Sequence, residues 1–235
     1  MGIPRLTSRE VIRVASGSIV QPQLARLLIL ATEAASGAKR WAIGGGVAVQ
    51  DAGYGRYTRD VDVFATQLSA RKIVKALAAA GLETRWLGDF HAIAFIEEDN
   101  RAELAHNATP GTRIDVLATL EEPEAGAIRT AVPARKLTVD AKVFRTDYLA
   151  AIKFLAARPL DLIDFDELMR LGTDIERVKY LVSTSDDSKV PALMARIRKA
   201  QAKPKGVRDS VSARYLDRDA LDAAWKASEA KRAAR

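Results

Sequence analysis

An α/β fold, a sheet covered by helices and continued by a helical region, is what this sequence of 235 residues predicts. Three observations carry that prediction. Strand and helix patterns alternate through the first half, the apolar period turns mostly helical after Pro133, and a glycine triplet joins the first strand directly to a helix. The organisation that follows is a core over residues 1–135, a mainly helical region over 136–202 and a basic tail over 203–235.

Residues 21–36 repeat apolar positions at helical spacing (Leu24, Leu27, Leu28, Ala31, Ala35), and Gly37 stands where a helix C-cap would. Residues 39–43 read as a short strand ending in Gly44, Gly45 and Gly46, from which a helix over 47–52 starts. Residues 60–64 alternate polar and apolar with period two, as a strand with one special face does. An alanine-rich helix over 69–80 has Ser69 as N-cap and Gly81 as stop. Strands are expected at 83–87, 92–96, 112–117 and 136–143. Helices are expected at 146–157, from Pro159 to about 171 with proline in an allowed first turn, at 174–182 and at 190–202. Residues 203–206 read as a linker.

Composition narrows the chemistry. The chain has no cysteine, which excludes disulfides, thiolate zinc sites and cysteine nucleophiles. With His91 and His106 as its two histidines, it cannot build a multi-histidine metal cage, and a Ser-His-Asp triad is disfavoured. Metal chemistry would run on carboxylates, which favour Mg²⁺ or Mn²⁺. No apolar run is long enough to cross a bilayer, and no signal-peptide pattern opens the chain, so a cytoplasmic protein away from the membrane is expected. The net charge of +7 is uneven: from Lys189 onward there are 13 Lys+Arg against 5 Asp+Glu, leaving 24 against 25 in the rest. The body is neutral and the tail basic.

The informative segment runs from Trp41 to Phe64. On a strand, Asp60 and Asp62 point to one side while Val61 and Val63 face the other. Two unit charges about 5 Å apart repel by about 3 kcal/mol at an effective dielectric near 20, and a divalent cation between them removes that penalty. A solvated edge strand carrying both carboxylates is the plain alternative. Glycines at a helix N-terminus let backbone N–H groups approach phosphate, although a tight turn with no ligand would look the same.

Ile43-Gly44-Gly45-Gly46, a spacer of 13 residues and Asp60-Val61-Asp62 together resemble the signature of the polymerase-β-type nucleotidyltransferase superfamily. The phrase from Arg56 to Asp62, Arg-Tyr-Thr-Arg-Asp-Val-Asp, is similar to the version in bacterial minimal and AbiEii-like members. The resemblance implies a mixed-sheet nucleotidyltransferase core and a third carboxylate on a later strand, for which Asp115 between Ile114 and Val116 is the candidate. Read without it, Asp115 is a surface residue paired with Arg113. The stretch from Leu149 to Asp164 resembles a downstream Lys…Arg-X-X-Asp-X-X-Asp segment, with Leu160 where the family often has lysine. Arg158, Asp161 and Asp164 then either support the substrate or form a salt-bridged helix junction. The resemblance spans roughly residues 41–168.

What the resemblance implies is a Mg²⁺-dependent (or Mn²⁺-dependent) enzyme that moves a nucleoside monophosphate from an NTP to a hydroxyl. Asp60, Asp62 and Asp115 would be catalytic and hold metal. Gly44, Gly45, Gly46, Arg59 and Lys153 would bind the nucleotide, with Lys153 as a phosphate-contacting cation and Arg56 in support. Charge balance for the acidic cluster is the other reading of the arginines. Relatives of this kind include toxins paired with an antitoxin protein, some acting on tRNA or protein, and others that modify antibiotics. The basic tail suits an RNA acceptor, or else merely solubilises the chain. The rival from another class is a non-catalytic RNA- or protein-binding module that has kept the fold.

Overall fold

In the computed structural model, which describes residues 22–202 other than 57, 107, 120 and 138, seven strands join into one mixed sheet. They are β1 (Trp41–Ile43), β2 (Asp60–Ala65), β3 (Glu83–Trp86), β4 (His91–Phe95), β5 (Arg113–Ala118), β6 (Val132–Pro133) and β7 (Lys142–Val143), in the spatial order β3-β4-β5-β2-β1-β7-β6. β2 runs parallel to β5 and β1 parallel to β7, and the other pairs are antiparallel. The expected α/β class is therefore found. The basic tail and the linker at 203–206 lie outside the described residues.

One face of the sheet is the main core. α1 (Pro22–Ser36) and α3 (Gln67–Ala79) pack against each other and against β2 and β5. They cover Val61, Val63, Ile114 and Val116, which are fully buried. Each such side chain contributes about 1.5–3 kcal/mol of burial free energy, so the polar alternation of β2 is fixed by what its odd positions bury.

Beyond the sheet, α6 (Thr146–Ala156), α7 (Pro159–Arg170), α8 (Ile175–Asp186) and α9 (Val190–Ala202) form a helical layer. Phe154 and Phe165 meet at 5.4 Å between ring centroids, and the Arg196 fork binds both oxygens of Asp166 at 2.8 and 2.9 Å. This layer reaches the sheet through α2 (Gly45–Ala52), which touches both α6 and α7.

Three local differences from expectation have physical causes. α2 starts at Gly45, because glycine tolerates the left-handed backbone there (φ +56°). The strand expected over 136–143 is reduced to β7, since the buried Asp51 carboxylate accepts the N–H groups of Arg135, Lys136 and Leu137 at 2.8, 2.6 and 3.2 Å and bends the chain there. α4 (Arg101–Ala105) and α5 (Glu124–Arg129) are each under two turns, too short for a helical period to show in sequence. Among the described residues no helix is long and apolar enough to cross a membrane.

Candidate active site

The even positions of β2 face away from the α1–α3 core. Parallel pairing with β5 places Asp62 opposite Asp115 and Asp60 opposite Arg113, so strand register alone puts three carboxylates and one guanidinium on the same face. The three carboxylates each offer an oxygen within 4.8 Å of the others, close enough to share a cation. Asp115 is buried, while Asp60 and Asp62 are half-buried.

The surroundings of each differ. Thr58 Oγ1 donates to Asp60 Oδ1 at 2.6 Å and orients it. Asp115 is held on both oxygens, by His91 Nε2 at 2.7 Å and by Arg113 Nε at 2.8 Å. Arg113 also lies 4.0 Å from Asp60 Oδ2 and donates to the Pro110 carbonyl at 2.8 Å. Desolvation, followed by the charges of Asp60 and Asp115, pushes the Asp62 carboxyl up to about 7, with Lys153 and Arg56 pulling against it. A carboxylate raised by burial and like charge, inside a cluster of three, fits a divalent cation: the ion would relieve the repulsion that the chain builds in.

The glycine triplet is shaped around these groups. The Gly44 N–H donates to the Asp62 carbonyl at 3.0 Å, and a Cβ at Gly44 would lie 2.6 Å from the Phe64 ring. A Cβ at Gly45 would overlap the Asp62 carboxylate, and one at Gly46 would lie 2.6 Å from Thr58 Oγ1 and 2.7 Å from the Arg56 guanidinium. The N-terminus of α2 thus abuts the carboxylates directly, with its first N–H groups unpaired within the helix. Gly45→Ala is expected to displace Asp62 and strain the backbone. Mg²⁺ affinity should fall at least about tenfold, with about 1–3 kcal/mol of stability lost; unchanged Mg²⁺ titration by calorimetry would refute this.

The remaining expected residues assemble next to this cluster. Lys153 Nζ binds Asp161 at 2.7 Å and Asp164 at 2.9 Å, and Arg56 Nε binds Asp164 at 2.8 Å. Arg158 completes the network on Asp161. Burial raises the Asp161 carboxyl, but the bonds from Arg158 and Lys153 outweigh it and hold the group below the usual range. The helix junction is therefore salt-bridged, and Lys153 is buried within it rather than open to solvent. Arg158 stays largely exposed and feels the charges of Asp62 and Asp60. Gln50 Nε2 donates to the Arg56 carbonyl at 2.6 Å, tying the loop to α2. Arg59 runs instead toward Gly111, whose Cβ would lie 3.4 Å from its guanidinium. His91 and Thr58 were not expected at the site. His91 enters through the β4–β5 register, which sequence does not print.

No family model matches the chain, and no curated protein does. Among solved structures it resembles two of the antibiotic-resistance factor ANT(2'')-Ia. The solution structure has a TM-score of 0.49 at 17% identity, covering 75% of this chain and 97% of that one. The crystal structure with adenylyl-2''-tobramycin has a TM-score of 0.43 at 18% identity, covering 77% and 100%. The chemistry of this chain therefore rests on the carboxylate geometry.

Proposed function

We propose that the protein is a Mg²⁺-dependent nucleotidyltransferase of the polymerase-β type. The observation that carries the reading is the juxtaposition of Asp60, Asp62 and Asp115, through parallel register, with an N-terminus of a helix that starts at a left-handed glycine. Asp60, Asp62 and Asp115 would hold Mg²⁺, which when bound neutralises phosphate charge and makes an acceptor hydroxyl easier to deprotonate. The Gly45 and Gly46 amides receive the phosphates, where the helix N-terminus favours negative charge. Arg158, the exposed cation of the neighbouring network, supplies the outer phosphate contact. Lys153 and Arg56 fix the floor beside Asp62. Asp115, the most buried of the three carboxylates and held by His91 and Arg113, would receive the acceptor proton once one of its oxygens is released.

For the acceptor, the basic stretch beyond Lys189 supports RNA, in keeping with an AbiEii-like toxin that modifies tRNA or protein and is restrained by an antitoxin. A second reading, a small hydroxylated molecule, is favoured by a hollow of about 410 Å³ lined by Glu83, Arg85, Phe95 and Glu97. Glu83, Arg85 and Phe95 lie at register positions that share the carboxylate face of the sheet.

Incubation with Mg²⁺ and each α-labelled NTP, offering RNA, protein and aminated polyols in turn, tests both the activity and the acceptor. Label should transfer to one class, and Asp60→Ala should cut the rate by about 10³-fold or more. Absence of Mg²⁺-dependent transfer to every class refutes the proposal. Absence of any thermal shift with Mg²⁺ plus NTP would favour the non-catalytic module.

A further inference from the structure

Asp115 is distinguished from its two partners by what already holds it. Both of its oxygens are taken, Oδ1 by His91 and Oδ2 by Arg113. Arg113 is fixed in turn by the Pro110 carbonyl and by its place opposite Asp60 in the β2–β5 register, from which its guanidinium also reaches Asp60 Oδ2 at 4.0 Å. Its side chain is 23% exposed, so it bridges two of the three carboxylates at the border of the site and not deep in the core.

We infer that Arg113 is a built-in counter-cation that withholds Asp115 from metal, so that Asp60 and Asp62 capture the first divalent ion and Asp115 joins only when Arg113 is exchanged away. This deepens the reading given above and rests on it in one respect, that the three carboxylates are metal ligands. Three electrostatic facts support it. A fixed positive charge between Asp60 and Asp115 repels an incoming dication in proportion to its closeness. A carboxylate with one oxygen hydrogen-bonded to His91 and the other in an ion pair with Arg113 has to give up one of those contacts before it can ligate. Asp62, by contrast, makes no ion pair among the described residues although it lies inside the three-carboxylate cluster, so it gains most from metal. Arg113 is thus a positioning residue: it acts through Asp115 and sets the order in which the site fills. Incoming phosphate, a stronger bidentate partner for a guanidinium than a carboxylate already shared, is the group that would draw it off.

The test is a double-mutant cycle on Mn²⁺ affinity, read by the paramagnetic resonance of free Mn²⁺ with no nucleotide present. In the wild type, Asp115→Asn should change Mn²⁺ affinity less than about threefold, because Asp115 does not ligate. Arg113→Met should tighten Mn²⁺ about tenfold or more, and Arg113→Lys, which keeps the charge but not the fork, should fall between. In the Arg113→Met background, Asp115→Asn should abolish the gain. Melting curves of all variants confirm folding. If the wild type binds Mn²⁺ and Arg113→Met does not tighten it, or if Asp115→Asn weakens the wild type tenfold, the inference is overturned while the nucleotidyltransferase reading stands. If neither chain binds Mn²⁺, the metal reading itself fails and both go.

Discussion

Asp62→Asn gives a metal-free protein that melts higher than the wild type at pH 8 and no longer responds to Mg²⁺. The wild-type carboxyl titrates near 7 in the folded chain against 3.8 when free, so between those values the native state holds a proton that the unfolded state has lost. Stability therefore falls as pH rises through that window and levels off above about 7. The groups facing Asp62 are Asp60 and Asp115, which raise it, and Lys153 and Arg56, which lower it. None of the four is removed by the substitution. Asparagine stands in for the protonated acid at every pH, so the variant should be on the order of 2 kcal/mol more stable at pH 8, roughly 4–8 °C in Tm, and equal to wild type near pH 4. Saturating Mg²⁺ should reverse the order at pH 8 by stabilising only the wild type. Scanning calorimetry at the two pH values, with and without Mg²⁺, decides it. A variant that melts below wild type at pH 8, or that keeps the Mg²⁺ shift, refutes the view that this residue holds the metal at the expense of the fold.

The same residue shows what the sequence could and could not reveal. Alternation in Asp60-Val61-Asp62-Val63 displays both a strand and its two faces, because a period of two survives any tertiary context. The glycine triplet is legible as a turn into a helix for a similar reason: the backbone at Gly45 is left-handed (φ +56°), so the requirement for glycine is local. Asp115 could be placed on a strand between apolar neighbours, but its alignment with Asp62 is a fact of β2–β5 pairing across about fifty positions. His91 was invisible because it depends on a further register, that of β4 on β5. The reduction of the strand expected over 136–143 turns on Asp51, a helical residue whose carboxylate collects three distant amides. Long-range polar contacts of this kind leave no period in the sequence. Lys153 was legible as a special cation on α6, yet its two partners lie on α7, and only the helix crossing shows that they occupy it.

That occupation makes Asp164 the residue whose loss should cost the fold most. Its side chain is 0% exposed and carries Arg56 at 2.8 Å and Lys153 at 2.9 Å. Asp164→Ala leaves buried Lys153 with Asp161, which already binds Arg158. Removing one partner of a buried ion pair costs about 3–5 kcal/mol, since the other charge stays desolvated without compensation. The melting temperature should fall by roughly 10 °C or more. Because Arg56 lies against Gly46 and its carbonyl is bound by Gln50, the loop that carries Thr58 should loosen as well, and transfer should weaken beyond the loss of folded protein. A second variant separates packing from chemistry. Lys153→Met combined with Asp164→Leu removes a cation and its carboxylate together, and apolar replacement of a buried pair is often close to neutral, so about half of the lost stability should return. If Lys153 only braces the helix junction, KM for the NTP in this double variant stays within about threefold of wild type; if it contacts phosphate, KM rises at least about tenfold although the protein is folded. An Asp164→Ala protein melting within 2 °C of wild type would show that the network is solvated and that the junction is held by its apolar contacts alone.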